Sequence, residues 1–176
     1  MSMRILAVSG SLRRTSRNTS LLRAATLLAP DTLQFTLSDH LEALPQFNPD
    51  LEDTVIAAVT AWRDAIRAAD LVLISSPEYA HGTPGSLKNA LDWCVGSGEF
   101  VGKPVLLLNA SSGGAHAQAS LREVLTTMDA RVLQDVRVPL MGANLTPQEI
   151  AAHPEHSRLL LKLLNRLETL KDEIQF

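Results

Sequence analysis

The sequence predicts a three-layer α/β domain in which helices cover both faces of a five-stranded parallel sheet. Two observations carry the prediction. Short, β-rich apolar runs alternate five times with longer segments of helical period, the pattern left by successive βαβ units. The chain of 176 residues, 45% of them hydrophobic, can bury one good core but is short for two, so residues 1–176 are expected to form one domain.

The first strand is expected over Arg4 to Ser9, followed by a loop and a helix from Asn18 to Leu28. The second strand spans Leu33 to Leu37 and is followed by a loop to Asp50 that carries Pro45, Asn48 and Pro49. A second helix is expected from Leu51 to Ala69, with Val55, Val59, Trp62 and Ile66 on one face. Leu71 to Ser75 forms the third strand. Thr83 reads as an N-cap and Pro84 as the first residue of a third helix, whose Leu87, Ala90, Leu91 and Cys94 form an apolar stripe ended by Gly96 and Gly98. Strand four runs from Pro104 to Asn109, helix four from Ala115 to Asp129, and strand five from Arg131 to Val138. Leu140 to Pro154, with Gly142, Pro147 and Pro154, is irregular apart from a short helix at Pro147 to Ala151. The last helix is marked by seven leucines between Leu159 and Leu170.

Composition excludes several classes. With 16 Lys and Arg against 19 Asp and Glu the formal charge is −3, which leaves no electrostatic footprint for nucleic acid and no polybasic membrane patch. The apolar run at the N-terminus is too short for a signal peptide, and no stretch approaches the roughly 20 residues of a membrane span. The lone Cys94 excludes an internal disulfide and fits a reducing compartment, so a cytoplasmic protein with a small-molecule partner is expected. The five histidines lack metal-ligand spacing, and His153 and His156 read as surface residues. G-x-G-x-x-G, G-x-x-x-x-G-K-[ST] and G-x-S-x-G are all missing, which argues against a dinucleotide fingerprint, a P-loop NTPase and a hydrolase.

The loops after strands one, three and four stand out. In a doubly wound sheet of order 2-1-3-4-5 these strands are neighbours, and ligands bind beyond their carboxyl ends. The first loop and the helix start, Gly10 to Thr19, collect hydroxyls at Ser11, Thr15, Ser16 and Thr19, the Asn18 amide and three arginines, a donor set suited to a phosphate dianion. Ser16 or Asn18 serves equally as the cap of the helix that follows. The second loop, Ser76 to Thr83, offers Pro77, Tyr79 and Gly82 as a wall for a flat ring, although Tyr79 also suits packing at a loop base and Glu78 suits a surface position or a supporting one. Gly113-Gly114 suits either a planar ligand lying on backbone or a plain tight turn.

Three strings resemble the NADPH-dependent FMN reductase family of flavodoxin-like fold, which includes chromate, quinone and azo-dye reductases. They are Gly10-Ser11-Leu12-Arg13 with Ser16 and Asn18; Leu44-Pro45 with Phe47-Asn48-Pro49-Asp50; and Pro77-Glu78-Tyr79 continuing through Pro84-Gly85 to Leu87-Lys88-Asn89-Ala90-Leu91-Asp92-Trp93. The resemblance implies an FMN phosphate held by Ser11, Arg13, Ser16, Asn18 and the backbone of Arg17. It implies a ring and ribityl chain against Pro77, Glu78, Tyr79, His81 and Gly82, with Ser111, Gly113 and Gly114 opposite. Ala80 stands where the family usually has Asn, which removes a side-chain hydrogen bond near the flavin.

The resemblance also implies NADPH or NADH as electron donor, a small acceptor, and a homodimer or homotetramer that often uses the segment around Leu91 to Phe100; Trp93, Val95 and Phe100 suit such a contact and suit burial in the core equally. The function expected is an FMN-dependent NAD(P)H oxidoreductase in which the cofactor takes the hydride and no side chain acts as acid, base or nucleophile. The alternative is a non-enzymatic FMN-binding electron carrier or redox sensor, to which a charge of −3 lends little support.

Overall fold

A computed structural model describes residues 2–140 and 145–174. Its sheet has the order β2-β1-β3-β4-β5 with every neighbouring pair parallel, the flavodoxin-like arrangement. The strands are β1 (Met3–Ser9), β2 (Leu33–Leu37), β3 (Leu71–Ser75), β4 (Pro104–Asn109) and a broken fifth run formed by β5 (Arg131–Val132) and β6 (Val136–Arg137).

Successive side chains of a strand point to opposite faces, so a strand buried on both faces is apolar throughout. Ile5 and Ala7 of β1, Leu71 and Leu73 of β3, and Leu106 and Leu108 of β4 face one core, packed by α1 (Arg17–Leu28), α5 (Pro147–Ala152) and α6 (Pro154–Ile174). Leu6, Val8, Val72, Ile74, Val105 and Leu107 face the other, packed by α2 (Ala57–Ala68), α3 (Gly85–Asp92) and α4 (Ala115–Thr127).

Strand five departs from the expected single run over Arg131 to Val138. Val105 pairs with Val132 and Leu108 with Val136, so the outer strand spends four residues where β4 spends three. One extra residue bulges out of the edge, as edge strands tolerate. Arginines take the freed carbonyls: Arg122 donates to Leu133 O and pairs with Asp135, and Arg166 donates to Gln134 O at 2.9 Å.

The second helix starts at Ala57 rather than Leu51. A 3₁₀ turn at Pro49–Leu51 precedes it, and Thr54-Val55-Ile56, three β-branched residues that resist helix, form the entry. Val55 is therefore solvent-exposed, while Val59, Trp62 and Ile66 are buried as expected. At the third helix Pro84 takes the cap position and Gly85 the first turn, one residue later than expected; the Thr83 hydroxyl instead reaches Ser120 of α4 at 3.4 Å.

Leu87, Ala90 and Leu91 form the buried stripe of α3, and Cys94, just beyond its end, extends it. Burial pushes the Cys94 thiol far above its ordinary range, with Glu99 reinforcing the shift. Cys94 is accordingly expected to resist a thiol-specific reagent in the native protein and to react stoichiometrically in denaturant; fast native labelling would contradict the packing.

Of the two readings open for Trp93, Val95 and Phe100, core burial holds for Trp93 and Phe100, while Val95 is exposed. The Trp93 indole and the Asn89 amide both donate to Pro45 O at 2.9 Å, and Phe47 N donates to Asn89 Oδ1 at 2.7 Å. The Leu44–Asp50 string is thus fastened to α3, although more than 40 residues separate them in sequence.

His156 is buried and stacked on His153 at 4.1 Å, so its expected surface placement is corrected: the first turn of α6 already packs against the core. Burial, and then His153, hold the His156 imidazole below its ordinary value. Gly142 lies outside the described residues.

Candidate functional site

Adjacency of β1, β3 and β4 brings the three loops that follow them around one cleft of about 410 Å³ at the carboxyl end of the sheet, a volume normal for a small-molecule site. Ser11, Arg13, Ser16, Arg17, Asn18, Pro77, Glu78, Tyr79, Ser111 and Gly114 line it. His81, Gly82 and Gly113 belong to the same loops but not to its wall; the His81 ring leans on His116 of α4 at 4.5 Å.

One end gathers hydrogen-bond donors. Ser16 is the N-cap of α1, its Oγ accepting from Thr19 N at 3.4 Å, which leaves the hydroxyl proton for a ligand. Arg17 and Asn18 occupy the first two helical positions, where backbone N–H groups have no intrahelical acceptor. The Arg17 side chain is drawn away to Leu140 O at 3.1 Å, so this residue offers the cleft its N–H. Asn18 Oδ1 accepts from the buried Ser75 hydroxyl at 2.9 Å, which turns its Nδ2 group toward the cleft as a donor. Arg13 Nε donates to Thr15 Oγ1 at 3.2 Å, and among the described residues both its terminal nitrogens are free. This donor set suits a dianion, with the positive end of a helix beneath it.

The other end is flatter. Tyr79 and Gly82 exchange backbone hydrogen bonds at 3.2 and 2.9 Å around a two-residue turn in which Ala80 and His81 have φ of 48° and 60°. Such a primed turn demands left-handed backbone at both central positions, which glycine and asparagine adopt at least cost. Tyr79 does not pack at the loop base; its ring is exposed at the mouth of the cleft. Ala80 does not line the cleft, so exchanging the family's Asn for Ala falls first on this turn. Ala80→Asn is expected to stabilise the protein by about 0.5–1 kcal/mol, read as a higher melting temperature; an unchanged melt would show that the turn bears no strain.

Glu78 has a definite task. Gly114, the residue before α4, has φ of 82° and no side chain with which to cap the helix; Glu78 Oε2 instead accepts from Ala117 N at 2.9 Å. The carboxylate caps α4 from the neighbouring loop and ties two walls of the cleft together. Glu78→Ala is expected to cost about 1 kcal/mol of stability and to loosen ligand binding, whereas Glu78→Gln keeps an acceptor and most of both. Equal behaviour of the two variants would contradict a capping role.

Asn109 escaped the sequence reading. Buried at the end of β4, it accepts from Ser111 N at 2.8 Å and donates to Gly113 O at 3.0 Å, holding the third loop in shape. Its only signal is an asparagine ending an otherwise apolar strand. Ser76 and Ala110, in the expected loops but not among the residues singled out in them, also line the cleft.

Comparison with known proteins follows the same lines. The family model described as NADPH-dependent FMN reductase matches residues 3–144. The chain is 37% identical over 147 residues to an NAD(P)H-dependent FMN reductase of Pseudomonas aeruginosa, covering 80% of this chain and 79% of the relative. It is 35% identical over 138 residues to a quinone reductase of Escherichia coli K12, covering 74% and 73%. Among solved structures it resembles the flavoenzyme FerB of Paracoccus denitrificans, an NAD(P)H:(acceptor) oxidoreductase, with a TM-score of 0.76, 28% identity and coverage of 98% and 97%.

Proposed function

The chain belongs to the NADPH-dependent FMN reductase family, oxidoreductases that use FMN and NAD(P)H, and from that premise we propose that it reduces small acceptors such as quinones, azo compounds, metal oxyanions or free flavin by a ping-pong exchange in one open cleft. FMN, when bound, supplies the redox chemistry by accepting hydride from the nicotinamide and passing the electrons on.

The observation that carries the reading is the asymmetry of the cleft: charged and hydroxyl donors converge at one end, and a tyrosine, a proline turn and a side-chain-free Gly114 stand at the other. Those residues fit a phosphate joined to a flat ring. Ser11, Arg13, Ser16, Asn18 and the Arg17 N–H would hold the phosphate, and Pro77, Glu78, Tyr79, Ser111 and Gly114 would wall the ring, with His81, Gly82 and Gly113 supporting them from the same loops. Glu78 orients the ring site through α4 rather than by handling a proton. Among the described residues no helix is long and apolar enough to cross a membrane. We place the enzyme in the cytoplasm as a single-domain homodimer or homotetramer.

The test is an anaerobic visible spectrum of the protein, supplied with FMN if colourless, before and after NADPH and, separately, NADH. Rapid bleaching of a bound flavin band is the expected result. A bound flavin that neither nucleotide bleaches would point to a carrier or sensor, and failure to bind flavin would overturn the reading.

A further inference from the structure

A second cleft, of about 390 Å³, lies beside the first on the β2 side of the loop that follows β1. Ser11 and Arg13 line both, so that loop is the wall between them. Arg14 from the loop and Arg23 from α1 join Arg13 in the second cleft, and both are solvent-exposed. Among the described residues neither the Arg14 nor the Arg23 side chain has a hydrogen-bond or ion-pair partner.

One phosphate does not require these groups. The FMN phosphate is served by Arg13, the serine hydroxyls, the Asn18 amide and the start of α1, which leaves two guanidiniums facing a neighbouring concavity with no counter-charge on the arginine side. The acidic residues there, Asp39 and Glu42, follow β2, and the Asp39 carboxylate is fully exposed. A second anion held at the arginine side relieves the repulsion among three like charges, and a guanidinium fork matches a phosphomonoester in two-point geometry.

We infer that the second cleft takes the 2′-phosphate on the adenosine half of NADPH, with Arg14 and Arg23 as its donors, and so sets a preference for NADPH over NADH. The two donors differ only in that phosphate, and a dinucleotide whose nicotinamide enters the first cleft meets the second directly across Arg13. Asp39 and Glu42 supply acceptors for ribose hydroxyls and confine the dianion to the arginine side. The inference rests on the reductase reading for the identity of the ligand.

The test uses FMN-loaded protein, 2′,5′-ADP and 5′-AMP as probes, and the variants Arg14→Gln, Arg23→Gln and their double. Titration calorimetry is expected to show that the wild type binds 2′,5′-ADP at least about tenfold more tightly than 5′-AMP, an advantage that the double variant loses, as removal of charge-assisted contacts predicts. Added salt weakens the same advantage. In turnover, kcat/KM for NADPH falls about 10- to 100-fold in the double variant, while that for NADH changes by less than about threefold. Equal binding of the two probes to the wild type, or an unaltered advantage in the double variant, overturns the inference. If the arginines govern 2′,5′-ADP binding while neither dinucleotide bleaches the flavin, the anion site stands and the reductase reading alone fails.

Discussion

Gly10→Ala is expected to lower the melting temperature of the flavin-free protein by roughly 2 to 12 °C and to weaken FMN binding at least about tenfold. A Cβ on Gly10 would sit 2.4 Å from Ser76 Oγ, 2.9 Å from Ser76 Cβ and 3.1 Å from Leu87 Cδ2. A hydroxyl can rotate away, but a Cβ moves only with its backbone. Overpacking of this kind costs about 1–3 kcal/mol in a dense interior. The strain falls where the loop after β1 meets the loop after β3, so it displaces both the phosphate cradle and the Pro77 wall. Ser76→Gly in the same chain removes the two shortest contacts and is expected to restore most of the loss, a coupling that a double-mutant cycle reads directly. A fully additive cycle would show that the close approach of Gly10 to Ser76 does not matter.

Asn18→Ala is expected to raise the FMN dissociation constant by about 10- to 100-fold, by loss of one donor to a charged phosphate and loosening of the cradle. It is also expected to destabilise the flavin-free protein by about 1–3 kcal/mol, because the fully buried Ser75 hydroxyl loses its acceptor. Asn18→Asp separates the two effects: the acceptor for Ser75 survives, so stability recovers, while a carboxylate facing a phosphate binds flavin more weakly still. Retention of flavin by Asn18→Asp at wild-type affinity would remove Asn18 from the phosphate site.

The sheet was readable because β1, β3 and β4 are buried on both faces and therefore spell continuous apolar runs, and the loops between them were readable because their polar content breaks those runs abruptly. Three features were not readable at that level. Leu133-Gln134-Asp135 carries no period that distinguishes a bulge from a strand; arginines on α4 and α6 decide it. Ala80-His81 lacks the Asn-Gly signature of a primed turn, and the Tyr79–Gly82 bridge imposes the backbone all the same. Glu78 acts through a hydrogen bond to a residue 39 positions away, brought near by the tertiary fold, whereas Asn109 acts locally on Ser111 and Gly113. The donor cluster at one end of the first cleft was legible because its residues are contiguous in sequence, and the second arginine cleft was not because Arg23 reaches it from along a helix.

The division of the interior into two cores by the sheet has an optical corollary. Both tryptophans, Trp62 and Trp93, are buried on the side packed by α2, α3 and α4, and the α1, α5 and α6 side contains none. Intrinsic emission therefore watches one half of the molecule, while far-ultraviolet dichroism weighs the helices of both. Coincident melts by the two probes would mean that the halves come apart together, and an emission shift that lags the dichroism would identify the C-terminal helix side as the first to leave.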